Sequence, residues 1–120
     1  MIKAHQALRS AQGLIALNDA DGACNRAYYA MFDAARAALL AKLGRTEADF
    51  ANTHRGLINA FSEHLVKDGT LSKDLGRSLK RAEEMRRLAD YDGDSIELAD
   101  AVTMVADAKS FIAAIEKLNA

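Results

Sequence analysis

The sequence predicts an all-α protein, an antiparallel up-and-down bundle of about five helices. Half of its 120 residues are apolar and it contains no proline or tryptophan. Alanine and leucine, which lose little free energy on entering a helix, are abundant. Apolar residues recur every three or four positions in five stretches that breakers separate. A chain of this length fits one domain, so we expect residues 1–120 to form a single helical unit.

The first two helices are predicted from their apolar spacing. A stripe from Ala4 to Ile15 predicts a first helix that ends near Asn18. Residues 19–22 are expected to form a polar turn, and residues 23–42 the second and most apolar helix. Its many alanines allow neighbouring helices to approach closely, as at the centre of a bundle or at a subunit interface.

A loop over residues 44–51 is predicted to precede the third helix. Asn52 or Thr53 offers a side-chain oxygen that can cap this helix at its first turn. Its apolar residues include Phe61, and Gly69 is expected to end it.

The last two helices are predicted to be joined by a short turn. Ser72 can cap the fourth helix, Asp92 and Gly93 make the turn, and Asp94 with Glu97 resembles a capping box at the start of the fifth. The fourth helix carries an inward series with one charge in it: Leu75, Leu79, Ala82, Arg86 and Ala89. The fifth has an unbroken apolar stripe: Leu98, Val102, Val105, Ala108, Ile112, Ile115 and Leu118.

Charge and composition exclude several classes of function. Sixteen basic and seventeen acidic side chains give a net charge of -1, so any contact with RNA has to be local and no DNA binding is expected. The single cysteine, Cys24, excludes an internal disulfide and suits the cytoplasm. No apolar run has the roughly 20 residues that span a membrane. Because the three histidines and the cysteine lack metal-ligand spacing, we expect no metal and no cofactor.

Two side chains are unusual for their positions. Arg86 lies in line with apolar residues, so its guanidinium needs an anionic partner. It either pairs with Asp90 one turn later or reaches water, or it binds a ligand anion. His54 shares a stripe with Ile58 and Phe61. It is either a hydrogen-bonded core residue or an acid or base that titrates near neutrality.

Two polar faces offer candidate binding groups. Arg26, Tyr29, Asp33 and Arg36 follow one another on the second helix at spacings of three or four. Such a stripe is usually solvated or joined by local ion pairs. Arg87 belongs to a basic face of the fourth helix that includes Lys73, Arg77 and Lys80. That face is either a small phosphate-binding patch or is balanced by the six acids of residues 90–107.

Three short motifs resemble those of a known family. Residues 25–32, Asn-Arg-Ala-Tyr-Tyr-Ala-Met-Phe, are similar to its R-x-Y-Y-A-M-F signature. Residues 53–56 match its T-H-x-G, and Arg86 followed by Ala89-Asp90-Tyr91 is similar to its R-x-x-A-D-Y ending of the fourth helix. Over nearly its whole length the chain therefore resembles the small prokaryotic HEPN family, named for higher eukaryotes and prokaryotes nucleotide-binding.

The resemblance implies a partner and a ligand. Members are typically homodimeric helical bundles, and many are encoded beside a minimal nucleotidyltransferase with which they form a toxin-antitoxin or defence pair. The implied function is the HEPN component of such a pair, binding nucleotide or RNA. Catalytically active members use an R-x(4-6)-H motif, but here Arg45 and Arg55 are each separated by eight residues from His54 and His64.

The implied site is a dispersed set rather than a local motif. Two arginines could stabilise a phosphate while His54 moves a proton, or the same residues could form a buried polar network. The alternative functions are a non-catalytic binding or assembly module and a metal-independent ribonuclease that uses His54 with Arg26 and Arg86. The candidate catalytic residues are His54, Arg26 and Arg86, and the candidate binding residues are Tyr29, Asp90, Tyr91 and Arg87.

Overall fold

The computed structural model describes residues 1–44, 53–91 and 96–118, apart from the side chain of Tyr91. Within these ranges the chain forms an all-α bundle, as predicted. Its helices are α1 (Ile2–Ala16), α2 (Ala20–Leu43), α3 (His54–Phe61), α4 (Lys73–Tyr91) and α5 (Leu98–Leu118), and a π-helical turn, Ser62–Val66, continues α3. None of the helices in these ranges combines the length and apolar character needed to cross a membrane.

Helix α2 is the centre of the bundle and packs against all four other helices. Its inward face consists largely of alanines, and those at 23, 27, 30 and 34 are fully buried. A methyl group lets a neighbouring backbone approach closely, so several helices can surround this one. The alanine-rich second helix thus lies at the centre of the bundle, which is one of the two positions predicted for it.

The start of α2 differs from the prediction. Residues 19–22 are not a polar turn, because Ala20 already begins the helix. Asp19 is its N-cap, and its carboxylate accepts a hydrogen bond of 2.9 Å from the Gly22 backbone N–H. Asp21 follows in the first turn, where a negative charge favours the positive end of the helix dipole. The Asp21 carboxylate also accepts a hydrogen bond of 2.7 Å from the Ile96 backbone N–H, which ties α2 to the start of α5.

The ends of the third helix are close to those predicted. Thr53 is the cap, since its hydroxyl oxygen accepts a hydrogen bond of 2.9 Å from the Gly56 backbone N–H. The alternative cap, Asn52, and the predicted loop lie outside the described residues, apart from Gly44. Gly69 has a φ of +83°, the left-handed conformation that glycine adopts without a steric penalty.

Helices α4 and α5 cover α2 with faces that were only partly predicted. On α4 Leu79, Ala82 and Arg86 are buried, as their spacing indicated. On α5 the predicted stripe is wrong at its edge, because Leu98, Val102 and Leu118 are 39%, 47% and 39% exposed. The buried face is rotated toward Ala101, Met104, Val105, Ala108, Phe111, Ile112 and Ile115. The predicted turn at 92–93 and the Asp94 cap lie outside the described residues.

Candidate functional site

The centre of the candidate site is His54, at the junction of α2, α3 and α4. The Thr53 cap fixes the first turn of α3, and His54 is its first residue. His54 Nδ1 lies 2.6 Å from the Tyr28 hydroxyl oxygen. Its ring centroid is 4.9 Å from that of Phe32, 5.5 Å from that of Tyr28 and 5.7 Å from that of Tyr29. Since 39% of its side chain is exposed, a ligand can reach the imidazole despite this aromatic surround.

Tyr28 is the buried member of the adjacent tyrosine pair. It is fully buried, and this burial, together with the charge of Glu83 and a hydrogen bond to it, raises the pKa of the Tyr28 phenol well above its usual range. Nearby Arg86 opposes that effect. The phenol is therefore protonated at any physiological pH, so its hydroxyl has one hydrogen to donate.

A group of three charges on α4 lies behind Tyr28. Arg86 Nη2 is 3.1 Å from each carboxylate oxygen of Glu83, and Arg86 Nη1 is 3.0 Å from Asp90 Oδ2. The guanidinium carbon lies 5.1 Å from the centroid of the Tyr28 ring. Glu83 Oε2 is also 4.0 Å from His54 Nδ1. Arg86 thus pairs with Asp90, one of the alternatives open from sequence, and with Glu83 as well, so its charge is balanced within the protein.

Arg26 joins the site through Tyr29. Its guanidinium carbon lies 5.0 Å from the Tyr29 ring centroid, and its Nε and Nη2 donate to Asn25 Oδ1 at 3.2 and 3.1 Å. Tyr29 is half-buried and meets the His54 ring edge-on. Farther along α2, burial raises the pKa of Asp33 although neighbouring cations, Arg26 among them, lower it.

A basic groove lies between α3 and α4 on the side of Glu83. Arg55, Lys80 and Arg87 line it, and all three are exposed. Across the described part of the chain, none of these three cations has a carboxylate within 4.0 Å. The cavity has a volume of about 300 Å³, and its other lining residues are Ile58, Asn59, Glu83 and Glu84. Because Glu83 is paired with Arg86, the three cations outnumber the one remaining carboxylate, Glu84, and give the groove the excess positive charge that a phosphate requires.

The structure brings most of the candidate residues together. His54, Arg86 and Asp90 form one connected group, Arg26 and Tyr29 lie on its aromatic side, and Arg87 lines the groove. The side chain of Tyr91 lies outside the described part. In the three described ranges no three histidine, cysteine, aspartate or glutamate side chains are grouped so as to hold a metal ion.

Sequence reasoning did not select Glu83, Tyr28 or Phe32 as site residues. Glu83 precedes Arg86 by three positions, a spacing that places both side chains on one face of α4. That spacing was the available signal for Glu83. Tyr28 and Phe32 belong to the recognised motif on α2, but which tyrosine faces His54 depends on how α3 packs against that helix.

The fold is a small helical bundle, and its candidate site is centred on a partly exposed histidine, His54. The HEPN domain model matches residues 1–118. The chain therefore belongs to the HEPN domain family.

Relatives of similar length support this assignment. A UPF0332 protein of Thermotoga maritima is 35% identical over 118 residues, which cover 97% of this chain and 85% of that protein. A UPF0332 protein of Gloeobacter violaceus is 36% identical over 114 residues, with 93% and 86% covered. A Methanocaldococcus jannaschii protein that is described as a candidate toxin is 32% identical over 92 residues, with 77% and 65% covered.

Proposed function

We propose that this HEPN protein is one component of a toxin-antitoxin or defence pair with a minimal nucleotidyltransferase, and that it binds nucleotide or RNA at His54. The observation that best supports a nucleotide or RNA ligand is the basic groove of Arg55, Lys80 and Arg87 near the partly exposed His54. The relative from Methanocaldococcus jannaschii that is described as a candidate toxin supports the assignment to such a pair.

The chemistry of the groove favours a phosphorylated ligand. Glu83 lines the groove and lies 4.0 Å from His54 Nδ1, so a phosphate held by Arg55 and Arg87 would lie near the imidazole. Tyr29 and Phe32, both partly exposed beside His54, offer aromatic surface on which a base can stack. Such a local site does not need a positively charged protein, and the net charge is only -1.

Binding to a labelled single-stranded RNA and to ATP tests the ligand. Each RNA phosphate that a cation neutralises contributes about -0.7 to the slope of log K against log salt concentration. We therefore expect Lys80→Ala and Arg87→Ala each to weaken RNA binding and to make that slope shallower by about 0.7. Arg77→Ala is the matched control, because Arg77 is exposed on the same helix but pairs with Asp74. Equal effects of all three substitutions, or no binding by the wild type, would contradict a site in this groove.

Co-expression tests the pair. The proposal predicts a small nucleotidyltransferase gene beside the gene for this chain. When the two are co-expressed, we expect the proteins to purify together and one to relieve growth inhibition by the other, and the absence of such a gene would count against the pair. Cytoplasmic location and a homodimer belong to the same proposal. The dimer is supported by apolar surface on α5, where Leu98 and Val102 are one turn apart and 39% and 47% exposed.

A metal-independent ribonuclease is a second candidate, favoured by the exposure of His54 next to a groove that suits phosphate. Because the R-x(4-6)-H motif is absent, we expect RNA binding to exceed cleavage. The assay measures cleavage of a mixed RNA pool in the presence of a metal chelator. Cleavage by the wild type that is lost in a folded His54→Ala variant would favour the ribonuclease. Binding without cleavage or growth inhibition would favour an assembly module.

A further inference from the structure

The hydrogen bond between Tyr28 and His54 can run in either of two directions. In the first, the Tyr28 hydroxyl donates to His54 Nδ1, so the single proton of the neutral imidazole lies on Nε2. In the second, His54 Nδ1–H donates to the Tyr28 oxygen, and the hydroxyl hydrogen is left for another acceptor. The distance of 2.6 Å between the two atoms fits both directions.

Glu83 decides between them. Its Oε2 lies 4.0 Å from His54 Nδ1, and a carboxylate at that distance favours a proton on the nearer nitrogen. Glu83 also raises the pKa of the Tyr28 phenol, so its carboxylate favours a Tyr28 hydroxyl hydrogen that points toward it. In the second direction Nδ1–H donates to the Tyr28 oxygen, and the Tyr28 hydroxyl hydrogen is left to point toward Glu83. In the first direction the carboxylate has no hydroxyl hydrogen to accept.

We propose that Glu83 and Tyr28 are positioning residues that hold the proton of neutral His54 on Nδ1 and leave the Nε2 lone pair for the ligand. The ligand that would contact Nε2 rests on the proposed function, whereas the position of the proton on Nδ1 does not. The raised pKa of Tyr28 agrees with a phenol that stays a donor to a carboxylate. Within the described ranges Nε2 makes no hydrogen bond to the protein.

Arg86 acquires a different role in this arrangement. Its guanidinium holds both oxygens of Glu83 and one of Asp90, so it fixes the direction of the carboxylate that Tyr28 contacts. Among the residues that the structure describes, the charged and titratable groups next to the imidazole are Tyr28 and Tyr29 of α2 and Glu83 of α4, with Arg86 behind Glu83. Glu83 is the one negative charge among them.

The arrangement suits proton removal from a ligand hydroxyl, such as a ribose hydroxyl of a nucleotide. The hydroxyl proton would move to Nε2 and its electron pair would remain on the ligand oxygen. The resulting imidazolium would keep its Nδ1–H bond to Tyr28, and Glu83 would balance its positive charge. The same Nε2 could instead accept a hydrogen bond from a bound ligand without any reaction.

Nuclear magnetic resonance of ligand-free protein labelled with ¹⁵N-histidine tests this directly. Long-range ¹⁵N–¹H correlation spectra distinguish the two neutral tautomers, and His5 and His64 serve as internal references. We expect the Nδ1–H tautomer for wild-type His54 at a pH where it is neutral. An Nε2–H tautomer in the wild type would overturn the proposal without recourse to any variant.

Matched variants identify the residues responsible. Glu83→Gln and Tyr28→Phe should each shift His54 toward the Nε2–H tautomer, whereas Glu84→Gln and Tyr29→Phe should leave it unchanged. An unchanged His54 spectrum in Glu83→Gln would refute the role of the carboxylate. Because no ligand is present, the result is independent of the proposed function. Failure to bind RNA or nucleotide with the Nδ1–H tautomer intact would count against that function alone.

Discussion

Replacing Arg86 by alanine should destabilise the fold far more than replacing its neighbour Arg87. Arg86 is 8% exposed and holds Glu83 and Asp90, whose side chains are 17% and 34% exposed. Breaking a buried ion pair from one side costs about 3 to 5 kcal/mol, because the stranded charge stays desolvated. Since Asp90 can still reach water, we expect a loss of about 3 kcal/mol, near the lower limit of that range.

The measurement is a thermal melt of both variants. For a domain of this size a loss of about 3 kcal/mol lowers Tm by about 12 °C, at about 4 °C per kcal/mol. Arg87 is exposed and lacks an ion pair with the described residues, so Arg87→Ala should cost less than about 0.5 kcal/mol, or about 2 °C. Values of Tm for the two variants within about 2 °C of each other would refute this reasoning.

A double-mutant cycle separates the stranded charge from lost packing. If the Glu83 carboxylate causes most of the loss, adding Glu83→Gln to Arg86→Ala should cost little or restore some stability. The expected departure from additivity is about 1 to 3 kcal/mol. Additive losses would mean that Arg86 stabilises the bundle mainly by the contacts of its aliphatic stem.

Three further expectations concern other parts of the bundle. Light scattering of the wild type should give about 26 kDa, twice the 13.0 kDa of one chain, and a monomer would refute the dimer. If the exposed apolar surface of α5 forms the dimer interface, Val102→Glu should reduce the mass to about 13 kDa. Burial raises the pKa of the Cys24 thiol to about 11, with smaller effects of Asp21 and Asp100, so a thiol reagent should modify it slowly in the native state and rapidly in denaturant. Equal rates in the two states would contradict its burial. Hydrogen bonds from Lys42 and Thr70 lower the pKa of the Asp68 carboxyl in the folded protein. The carboxylate therefore stabilises the fold above the pKa of an unfolded aspartate, about 3.9, and this contribution is lost as the pH falls from there through the lower pKa of the folded state. The difference in Tm between wild type and Asp68→Asn should therefore shrink as the pH falls below about 3.9, and a constant difference would exclude this linkage.

The sequence predicted those features that depend on periodicity along one helix. The stripe Leu79, Ala82 and Arg86 is buried as its spacing indicated, and Arg86 pairs with Asp90, which was one of the alternatives that the sequence left open. The exposure of Val102 on α5 was not predictable in the same way. The apolar face of α5 is wider than the surface that the neighbouring helices cover, and the sequence does not show which side of that face stays exposed.

The candidate site depends on how separate helices meet. His54 was selected because it lies on an apolar stripe, but its partner Tyr28 is 26 residues away on α2. Glu83 lies on yet another helix, and a glutamate near several basic residues is most often a solvated side chain. Only the packing of α2, α3 and α4 reveals that its carboxylate lies between an arginine and a tyrosine.

The pair of tyrosines beside His54 gives the protein an intrinsic optical probe. The chain has three tyrosines and no tryptophan, so its ultraviolet emission is not masked by indole. Two of those three fluorophores contact the His54 ring, and one of them is hydrogen-bonded to it. A nucleobase that stacks there would change the emission intensity of the unmodified protein, so titrations can follow occupancy of this site without a dye.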